Sequence, residues 1–413
     1  MSAENPIPFV GFPQKTDHRA PDVSGLRPRS QLVHGGARRS SFDETCEAIY
    51  QTSGYCYGSA EEAEAAFAND GARQVYSRFG NPTSNMFEAR LCAYEGAEWG
   101  YATASGMAAV TAALLSFVKT GDRIVAPIGL FISCLYVIRE VCTRFGVEAV
   151  LIDGTDLDQW KAALAKPTTA VFLESPSNPC LEIVDIAAVA ELAKAAGAKV
   201  IVDNAFATPV LQRPFQLGAD VVVYSATKHI DGQGRCLGGV VMTDRKFAAE
   251  KVHPYIRHTG PAIAPFNAWL LLKSLETMEL RVGAQCASAL KVAQYLESHA
   301  KIAKTVYPFL ASHPQHDLAR RQMTGGGTMV SFYIDGGKDE AFRVMNALRM
   351  VLISNNLGDS KSLITHPDTS THCKLTPDDK RRAGITPALI RLSVGLEDAD
   401  DIIDDLDRAL AEV

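Results

Sequence analysis

Residues 199–229 read KVIVDNAFATPVLQRPFQLGADVVVYSATKH and contain two short apolar runs, each followed by polar residues. The runs Lys199–Val202 and Asp220–Tyr224 are rich in β-branched residues, which favour strands, and both are too short for helices. In a sheet of parallel strands, ligands bind beyond the carboxyl ends of the strands. We therefore expect a ligand site near Asp203, which follows the first run, and Lys228, which follows the second.

The same alternation continues on the N-terminal side of this stretch. Further short apolar runs lie at Arg123–Ala126, Glu148–Ile152 and Ala170–Leu173. Segments of helix-forming composition lie at Met107–Val118 and Ile186–Ala196. Strands that alternate with helices in this way predict an α/β fold, with a mostly parallel sheet that is covered by helices on both faces.

The pattern changes after about residue 285. Helical segments are predicted at Ala287–His299 and Asp339–Val351, with a glycine-rich strand region between them at Gly325–Ile334. A strand at Ile390–Val394 then precedes an acidic helix that begins at Asp398. This part of the chain is predicted to form a smaller α+β domain.

The predicted division of the chain has three parts. The first 25 or so residues are rich in proline and lack periodicity, so they are interpreted as an extended arm. Residues 1–70 together are assigned to this N-terminal arm and an interface segment. Residues 71–285 are predicted to form the α/β domain that carries the ligand site. Residues 286–413 are predicted to form the C-terminal α+β domain.

Composition excludes several classes of function. The 413 residues include 41 Lys and Arg against 47 Asp and Glu, which gives a net charge of -6 and lacks the basic excess of nucleic-acid-binding proteins. There is no signal peptide pattern, and no apolar run approaches the roughly 18 residues of a membrane span, so we expect a cytoplasmic protein without a membrane partner. The nine cysteines form no C-x-x-C pair, so we interpret them as free thiols and predict no metal site.

The polar residues at the two strand ends form a chemically coherent set. The hydroxyls of Ser225 and Thr227, followed by a glycine-rich run, suit a phosphate group. The amine of Lys228 suits a covalent bond to an aldehyde, and the carboxylate of Asp203 suits a pyridinium N–H. Each residue alone has an ordinary interpretation, as a turn residue or a solvated lysine. Together they describe pyridoxal phosphate, which serves as an electron sink.

The longer stretch 200–239 resembles the core signature of the Cys/Met-metabolism family of pyridoxal-phosphate enzymes. This family includes cystathionine γ-synthase, cystathionine γ-lyase, methionine γ-lyase and the homoserine-ester sulfhydrylases, and the resemblance extends from about residue 27 to near the C-terminus. It implies a fold type I transferase, with a seven-stranded type of mostly parallel sheet and a smaller C-terminal domain. It also implies that Lys228 is the catalytic residue and that Asp203 contacts the cofactor ring.

Two further motifs concern the cofactor phosphate. Residues 76–83, YSRFGNPT, are similar to the family's Y-x-R-x-x-N-P-T, in which the residues matching Tyr76 and Arg78 bind the phosphate of a neighbouring chain. The resemblance therefore implies a homotetramer made of two catalytic dimers. It also implies that residues 104–107, ASGM, bind the phosphate at a helix N-terminus. The phosphate ligands implied are Ser105, Gly106, Met107, Ser225 and Thr227.

Two matches concern the substrate. Residues 174–179, ESPSNP, resemble the family's E-[ST]-P-[ST]-N-P turn, which places Asn178 near the phenolic oxygen of the cofactor and the substrate carboxylate. Arg391, in the strand Ile390–Val394, matches the family arginine that binds the substrate α-carboxylate. Without the resemblance, the first is a proline-rich turn and the second a surface residue.

Departures from the family pattern narrow the expected reaction. In residues 129–134, GLFISC, Phe131 stands where many members have a tyrosine stacked on the ring, so Lys228 is expected to carry the proton transfers. Residues 356–363, NLGDSKSL, replace the more usual S-L-G-G-x-E-S-L, which argues against lyase-type substrate contacts. Residues 32–36, 152–156 and 228–234 resemble the branch that acts on O-succinylhomoserine.

We therefore expect a γ-replacement in methionine biosynthesis, in which an amino-acid ester, O-succinylhomoserine, and sulfide give homocysteine and succinate. The alternatives are the use of the acetyl ester, the use of cysteine as the thiol donor, and a γ-lyase that releases a keto acid and ammonia. A binding module without activity is disfavoured, since Lys228, Asp203, Arg78 and Arg391 are all present.

Overall fold

The computed structural model describes residues 23, 25–40, 42, 44–68 and 73–413. Residues 1–22 and 24 of the predicted N-terminal arm, and residues 41, 43, 69 and 70 of the interface segment, lie outside these residues. The described helices are, in chain order, α1 (Pro28–His34), α2 (Ala60–Ala68), α3 (Pro82–Glu95), α4 (Gly106–Leu115), α5 (Ile132–Tyr136), α6 (Leu157–Leu164), α7 (Ile186–Ala195), α8 (Thr208–Leu211), α9 (Arg245–Phe247), α10 (His253–Thr259), α11 (Pro265–Leu275), α12 (Met278–Ser298), α13 (His316–Gln322), α14 (Lys338–Ala347), α15 (Pro377–Arg382) and α16 (Ala399–Leu410). The described strands are β1 (Trp99–Thr103), β2 (Arg123–Pro127), β3 (Glu148–Ile152), β4 (Ala170–Glu174), β5 (Lys199–Asp203), β6 (Val221–Ser225), β7 (Gly239–Thr243), β8 (Ile302–Val306), β9 (Met329–Ile334), β10 (Leu352–Ile353), β11 (Leu363–Thr365) and β12 (Leu389–Ser393).

The predicted fold class is confirmed. Within the described residues, the strands β1 to β7 belong to a mostly parallel central sheet, and β8 to β12 form a smaller C-terminal sheet. The chain divides into two compact units whose segments alternate along the sequence. The predicted domain boundaries at residues 70 and 285 stay a prediction.

The first unit contains the described residues up to Phe117, together with Asp220–Asp231 and Arg235–Thr277. Its strands are ordered β1-β7-β6, and both pairs are antiparallel. Helix α4 packs against β6 and β7. Its N-cap is Ser105, whose hydroxyl oxygen accepts a hydrogen bond from the N–H of Ala108. This capped start fixes the position of the helix N-terminus.

The second unit contains Val118–Ala219, Gly232–Gly234 and Met278–Val413. Its parallel strands are ordered β5-β4-β2-β3, and β4 is buried along its whole length. Such continuous apolar runs are expected for parallel strands that are covered on both faces. The final residues of β4 and β5, Glu174 and Asp203, are register partners, so the parallel pairing brings two carboxyl groups together at one edge.

The C-terminal sheet of the second unit has the strand order β10-β11-β12-β9-β8. Helices α12, α14 and α16 pack with it around a buried apolar cluster that includes Phe332, Ile390 and Leu406. Strand β12 lies at the centre of this sheet, between β11 and β9. It therefore holds Arg391 in a rigid and buried position.

Several element ends differ from the prediction for identifiable reasons. Strand β9 begins only at Met329, because the preceding glycines include Gly327 with a φ of 96°. Helix α14 ends at Ala347 instead of Val351. There the carboxylate of Asp405 accepts hydrogen bonds from the N–H groups of residues 349–351, which replaces the helical pairing.

No helix among the described residues combines the length and the apolarity needed to cross a bilayer. The nine cysteines are free thiols, and four of them are buried: Cys92, Cys134, Cys142 and Cys180.

Candidate functional site

In the first unit, the N-terminus of α4 lies against the end of β6. A Cβ atom on Gly106 would lie 2.7 Å from the Cβ of Ser225 and 2.9 Å from its Cα, so only glycine fits there. The N–H groups in the first turn of a helix have no intrahelical partner. The N–H groups of Gly106 and Met107, beside the Ser225 hydroxyl, are therefore suited to bind an anion, as the sequence predicts.

The turn after β6 holds Lys228 close to the strand end. The N–H of Lys228 donates to the carbonyl of Ser225 at 3.2 Å, and the lysine side chain is half-buried. The hydroxyl of Thr227 donates to the carbonyl of Gly238 at 3.2 Å and accepts from its N–H at 3.0 Å. The hydroxyl of Thr227 thus bonds to the main chain. To donate to a phosphate, it would have to give up its hydrogen bond to the carbonyl of Gly238.

Arg78 is fixed by groups from three parts of the first unit. Its carbonyl accepts a hydrogen bond of 2.6 Å from the hydroxyl of Tyr101. Its guanidinium donates to the carbonyl of Arg257 and lies 4.7 Å from the centre of the Phe79 ring. Tyr76 is exposed. Of the two residues of the predicted motif, Tyr76 is thus accessible at the surface of this unit, and Arg78 is bonded to its main chain.

The second half of that motif begins helix α3. The side-chain oxygen of Asn81 accepts from the N–H of Thr83 at 2.9 Å, and Pro82 occupies the first helical position. The side-chain amide of Asn81 also donates to the carbonyl of Tyr50 at 2.8 Å. The N-P-T part of the motif therefore has a structural role, because it starts helix α3 and bonds it to the main chain at Tyr50.

In the second unit, Asp203 is a buried carboxylate without a cationic partner among the described residues. One of its oxygens accepts from the N–H of Ala205 at 3.0 Å, and the other lies 3.9 Å from the sulfur of Cys134. Burial raises the pKa of Asp203 to about 6. A positively charged N–H donor would stabilise its ionised form, and the pyridinium of the predicted cofactor is such a donor.

Glu174 is a functional candidate that the sequence marks only as the first residue of a turn motif. Its Oε2 accepts a hydrogen bond of 2.9 Å from the N–H of Phe131, which is half-buried at the start of α5. Burial and the neighbouring charge of Asp203 raise the pKa of Glu174 well above its usual range. A sequence signal existed, because Glu174 and Asp203 both follow apolar runs.

Arg391 is 1% exposed, although it carries a charge. Its Nη1 donates to the side-chain oxygen of Asn178 at 2.8 Å, and its Nη2 donates to the carbonyl of Asn355 at 3.0 Å. The buried Nε has no hydrogen-bond partner, and no carboxylate in the described chain forms an ion pair with the guanidinium. Burial lowers the pKa of Arg391 to about 10, so it remains charged at neutral pH. Such a group is suited to bind a carboxylate.

His372 lies in the same region and was not identified from the sequence, because no motif or periodicity marks it. It is 1% exposed, and its Nδ1 lies 2.8 Å from the hydroxyl of Thr371. Burial and the charge of Arg391 lower the pKa of His372 to about 4. The imidazole is therefore neutral at neutral pH, and Arg391 keeps the positive charge of this region.

The residues present fit pyridoxal phosphate and an amino-acid substrate. The first unit supplies unpaired helix N–H groups beside Ser225, which suit a phosphate. The second unit supplies the buried carboxylate of Asp203 and the buried guanidinium of Arg391, neither of which has an ion-pair partner among the described residues. These features complement a phosphate, a pyridinium and an α-carboxylate respectively.

Both the sequence and the fold of this chain are similar to those of known proteins. The family model described as Cys/Met metabolism PLP-dependent enzyme matches residues 29–411. An O-succinylhomoserine sulfhydrylase of Mycobacterium tuberculosis is 53% identical over 401 residues, which cover 96% of this chain and 98% of that protein. A protein of the same name from Pseudomonas aeruginosa is 48% identical over 390 residues, covering 94% of this chain and 96% of the relative.

A solved structure has the same fold. It is a putative O-acetylhomoserine (thiol)-lyase of Campylobacter jejuni that carries a pyridoxyl-lysine monophosphate group. The superposition has a TM-score of 0.90 at 33% sequence identity, and it covers 94% of this chain and 100% of that one.

Proposed function

The chain belongs to the Cys/Met-metabolism family of pyridoxal-phosphate-dependent enzymes, and we propose that it catalyses a γ-replacement on an ester of homoserine. In this reaction O-succinyl-L-homoserine and sulfide give L-homocysteine and succinate. The bond between Cγ and the ester oxygen breaks, succinate leaves with the electron pair, and a new bond forms between Cγ and sulfur. The reaction belongs to methionine metabolism.

The observation that carries the choice of substrate is the agreement of two relatives. Both are matched over nearly their full lengths, at 53% and 48% identity, and both are named O-succinylhomoserine sulfhydrylase. The residues that departed from the lyase pattern support the same choice. Asp359 and Lys361, in place of a glycine and a glutamate, form an ion pair of 3.5 Å with each other.

We assign cofactor binding to the residues that the motifs predict. Bound pyridoxal phosphate supplies an electron sink that stabilises negative charge at the substrate Cα. Asp203 would keep the ring nitrogen protonated, since its buried carboxylate is stabilised by a positive partner. Phe131 would cover the face of the ring. The phosphate would be bound by the following groups: Ser105, Gly106, Met107, Ser225 and Thr227, with Tyr76 and Arg78 from a neighbouring chain.

Lys228 is the proposed catalytic base. It would hold the cofactor until the substrate amine replaces it, and its released amine would then take a proton from Cα and move protons at Cβ. Phe131 has no hydroxyl and cannot share this work. The same amine returns a proton when the product forms.

Arg391 and Asn178 would bind and orient the substrate. A guanidinium that is buried without a counter-ion gains a hydrogen-bonded anion when the α-carboxylate binds, which stabilises the complex. Asn178 holds one end of that guanidinium, so the carboxylate is presented with one orientation.

We further propose that the protein is a homotetramer of two catalytic dimers. The basis is the Tyr76–Arg78 motif, whose family role is to complete the phosphate site of a neighbouring chain. Light scattering of the holoenzyme after gel filtration tests this, and a monomer of full activity would contradict it.

The proposed reaction is tested by product identification. The protein, loaded with pyridoxal phosphate, is supplied with O-succinyl-L-homoserine with and without sulfide. Homocysteine that forms only with sulfide, with little 2-oxobutyrate, supports γ-replacement. Dominant 2-oxobutyrate under both conditions would make the protein a γ-lyase. Parallel reactions with the acetyl ester, and with cysteine in place of sulfide, identify the preferred leaving group and thiol.

A further inference from the structure

Two carboxyl groups lie side by side at the ends of β4 and β5. Glu174 and Asp203 are register partners in this parallel pair, so their side chains project to the same face of the sheet. Neighbouring strands are only about 4.8 Å apart. Both residues are buried, with exposures of 3% and 9%. Two carboxylates so close together and away from water do not both ionise, because the second negative charge is repelled by the first.

The hydrogen bonds indicate which of the two keeps the charge. Asp203 has two donors, the N–H of Ala205 at 3.0 Å and the thiol of Cys134 at 3.9 Å. Within the part of the chain that the structure describes, Glu174 has one, the N–H of Phe131 at 2.9 Å. Burial raises the pKa of both groups, and Glu174 is further raised by the charge of Asp203. The more strongly solvated carboxyl is thus the aspartate.

The positive charge of Arg391 does not reverse this order. Arg391 attracts negative charge toward Glu174, but the hydrogen bonds of its two Nη groups go to Asn178 and to the main chain of residues 355 and 356. No ion pair joins Arg391 and Glu174 in the described part of the chain. A protonated carboxyl still has an oxygen that accepts a hydrogen bond, so the contact with Phe131 does not require an ionised glutamate.

We propose that Glu174 is a positioning residue that acts in its protonated form. One of its oxygens holds the main chain of Phe131, and its neutrality leaves Asp203 as the single negative charge at the ends of these two strands. This inference rests on the proposed function, which assigns the cofactor ring to Asp203 and Phe131. It explains why the positive charge of Arg391 stays available for a substrate carboxylate, since an ionised Glu174 would partly neutralise it.

Two substitutions separate the hydrogen bond from the charge. Glu174→Gln is neutral at every pH and keeps an oxygen acceptor for the Phe131 N–H, so we expect an unchanged absorbance maximum of the bound cofactor. Its dissociation constant for pyridoxal phosphate should stay within about twofold of the wild type at neutral and mildly alkaline pH. Glu174→Ala removes the acceptor, and we expect the same constant to rise by about tenfold.

Infrared spectroscopy of the holoenzyme reads the protonation state directly. A buried protonated carboxyl has a carbonyl stretch that a carboxylate lacks. The pKa of buried Glu88 is raised to about 8, so Glu88 contributes such a band in both proteins. The band of Glu174 is therefore the one that should appear in the difference spectrum between the wild type and Glu174→Gln. This measurement decides the proposal even if Glu174→Ala does not fold. The proposal is overturned if the band is missing, if Glu174→Gln shifts the absorbance maximum or weakens cofactor binding by more than about fivefold, or if Glu174→Ala binds like the wild type.

The variant Asp203→Asn distinguishes a failure of this inference from a failure of the proposed function. Asp203→Asn removes the charge that the proposed function needs at the ring nitrogen, so it should change the absorbance of the bound cofactor. If Asp203→Asn has this effect while the Glu174 results disagree, only the inference about Glu174 fails. If Asp203→Asn has no effect, the assignment of the ring fails, and with it the basis of the inference.

Discussion

Arg391 donates a hydrogen bond of 2.8 Å from its Nη1 to the side-chain oxygen of Asn178. The two residues are 213 positions apart in the chain and come from different motifs. Each is nearly inaccessible to water, with exposures of 1% and 4%. The pair therefore forms a buried group that is positively charged and has its orientation fixed by a neutral amide.

The first prediction concerns substrate affinity. Arg391→Gln removes the charge, and we expect the KM for the amino-acid ester to rise by about 100-fold, since a buried charged contact contributes about 2–5 kcal/mol. Steady-state kinetics of the holoenzyme measures this change. As a control, the absorbance change caused by a simple amine without a carboxylate should be equal in wild type and variant. If the variant instead loses affinity equally for the amino-acid ester and for the simple amine, Arg391 does not bind the carboxylate.

The second prediction concerns the close approach of α4 and β6. Gly106→Ala would place a methyl group 2.7 Å from the Cβ of Ser225, next to main-chain atoms that have little room to move. Overpacking of this kind costs about 1–3 kcal/mol, and we expect the affinity for pyridoxal phosphate to fall by at least about tenfold. A fluorescence titration of the apoprotein with the cofactor measures it.

Gly283 offers a matched control for that substitution. It lies in helix α12, where an added Cβ would have nothing within 4 Å. Gly283→Ala should leave cofactor affinity unchanged and raise the free energy of unfolding by about 0.5–1 kcal/mol, because alanine favours helix. Equal cofactor affinity in Gly106→Ala would contradict the assignment of this helix N-terminus to the phosphate.

The third prediction concerns acid stability in the first unit. Glu47 is buried and bonds to Arg90 and, at 3.0 Å, to Lys273. Burial alone would raise the pKa of Glu47, but the charge of Arg90 and these hydrogen bonds lower it overall from the ordinary value of 4.5. A depressed pKa stabilises the fold above pH 4.5, and this contribution is lost as the pH falls through the lower, folded-state value.

Glu47→Gln tests this by denaturant unfolding at a series of pH values. We expect the free energy of unfolding to fall by about 3 kcal/mol at neutral pH, because Arg90 loses its buried counter-ion, and the difference from wild type to shrink in acid. The exposed pair Asp158 and Lys161 supplies the control, and Asp158→Asn should cause no measurable change. A difference that is constant with pH would refute the role of the Glu47 charge.

The fourth prediction concerns a different pH window. The pKa of His372 falls from 6.5 to about 4 on folding. Between these two pH values, His372 is protonated in the unfolded chain and neutral in the folded chain. Stability should therefore decline between pH 6.5 and about 4, by about 3 kcal/mol in total. In His372→Gln, which does not titrate, the decline over this window should be smaller by that amount. Identical pH profiles would show that His372 is not held neutral.

The sequence alone was sufficient for the parts of the site that depend on local pattern. Asp203 and Lys228 were located because each follows a short apolar run, and strand ends are where an α/β sheet binds ligands. The capped start of α4 at Ser105 follows from one serine before an alanine-rich segment. These features need only periodicity and the chemistry of single residues.

The remaining features depend on pairing between distant segments. Glu174 and Asp203 become neighbours only through the register of β4 and β5, which no local pattern specifies. The end of α14 is set by Asp405, which is 54 positions beyond Val351. His372 gains its environment from Arg391, in another segment of the second unit. Tertiary contacts of this kind override local propensity, and a single sequence does not reveal them.

The central claim is that Lys228 holds the cofactor and serves as the base. Borohydride reduction of the holoenzyme makes the bond between cofactor and lysine permanent, and mass spectrometry of a digest then locates it. We predict a phosphopyridoxyl group on the peptide that contains Lys228, and its loss in Lys228→Ala together with turnover. The same group on another lysine, or turnover that survives in Lys228→Ala, would contradict the account.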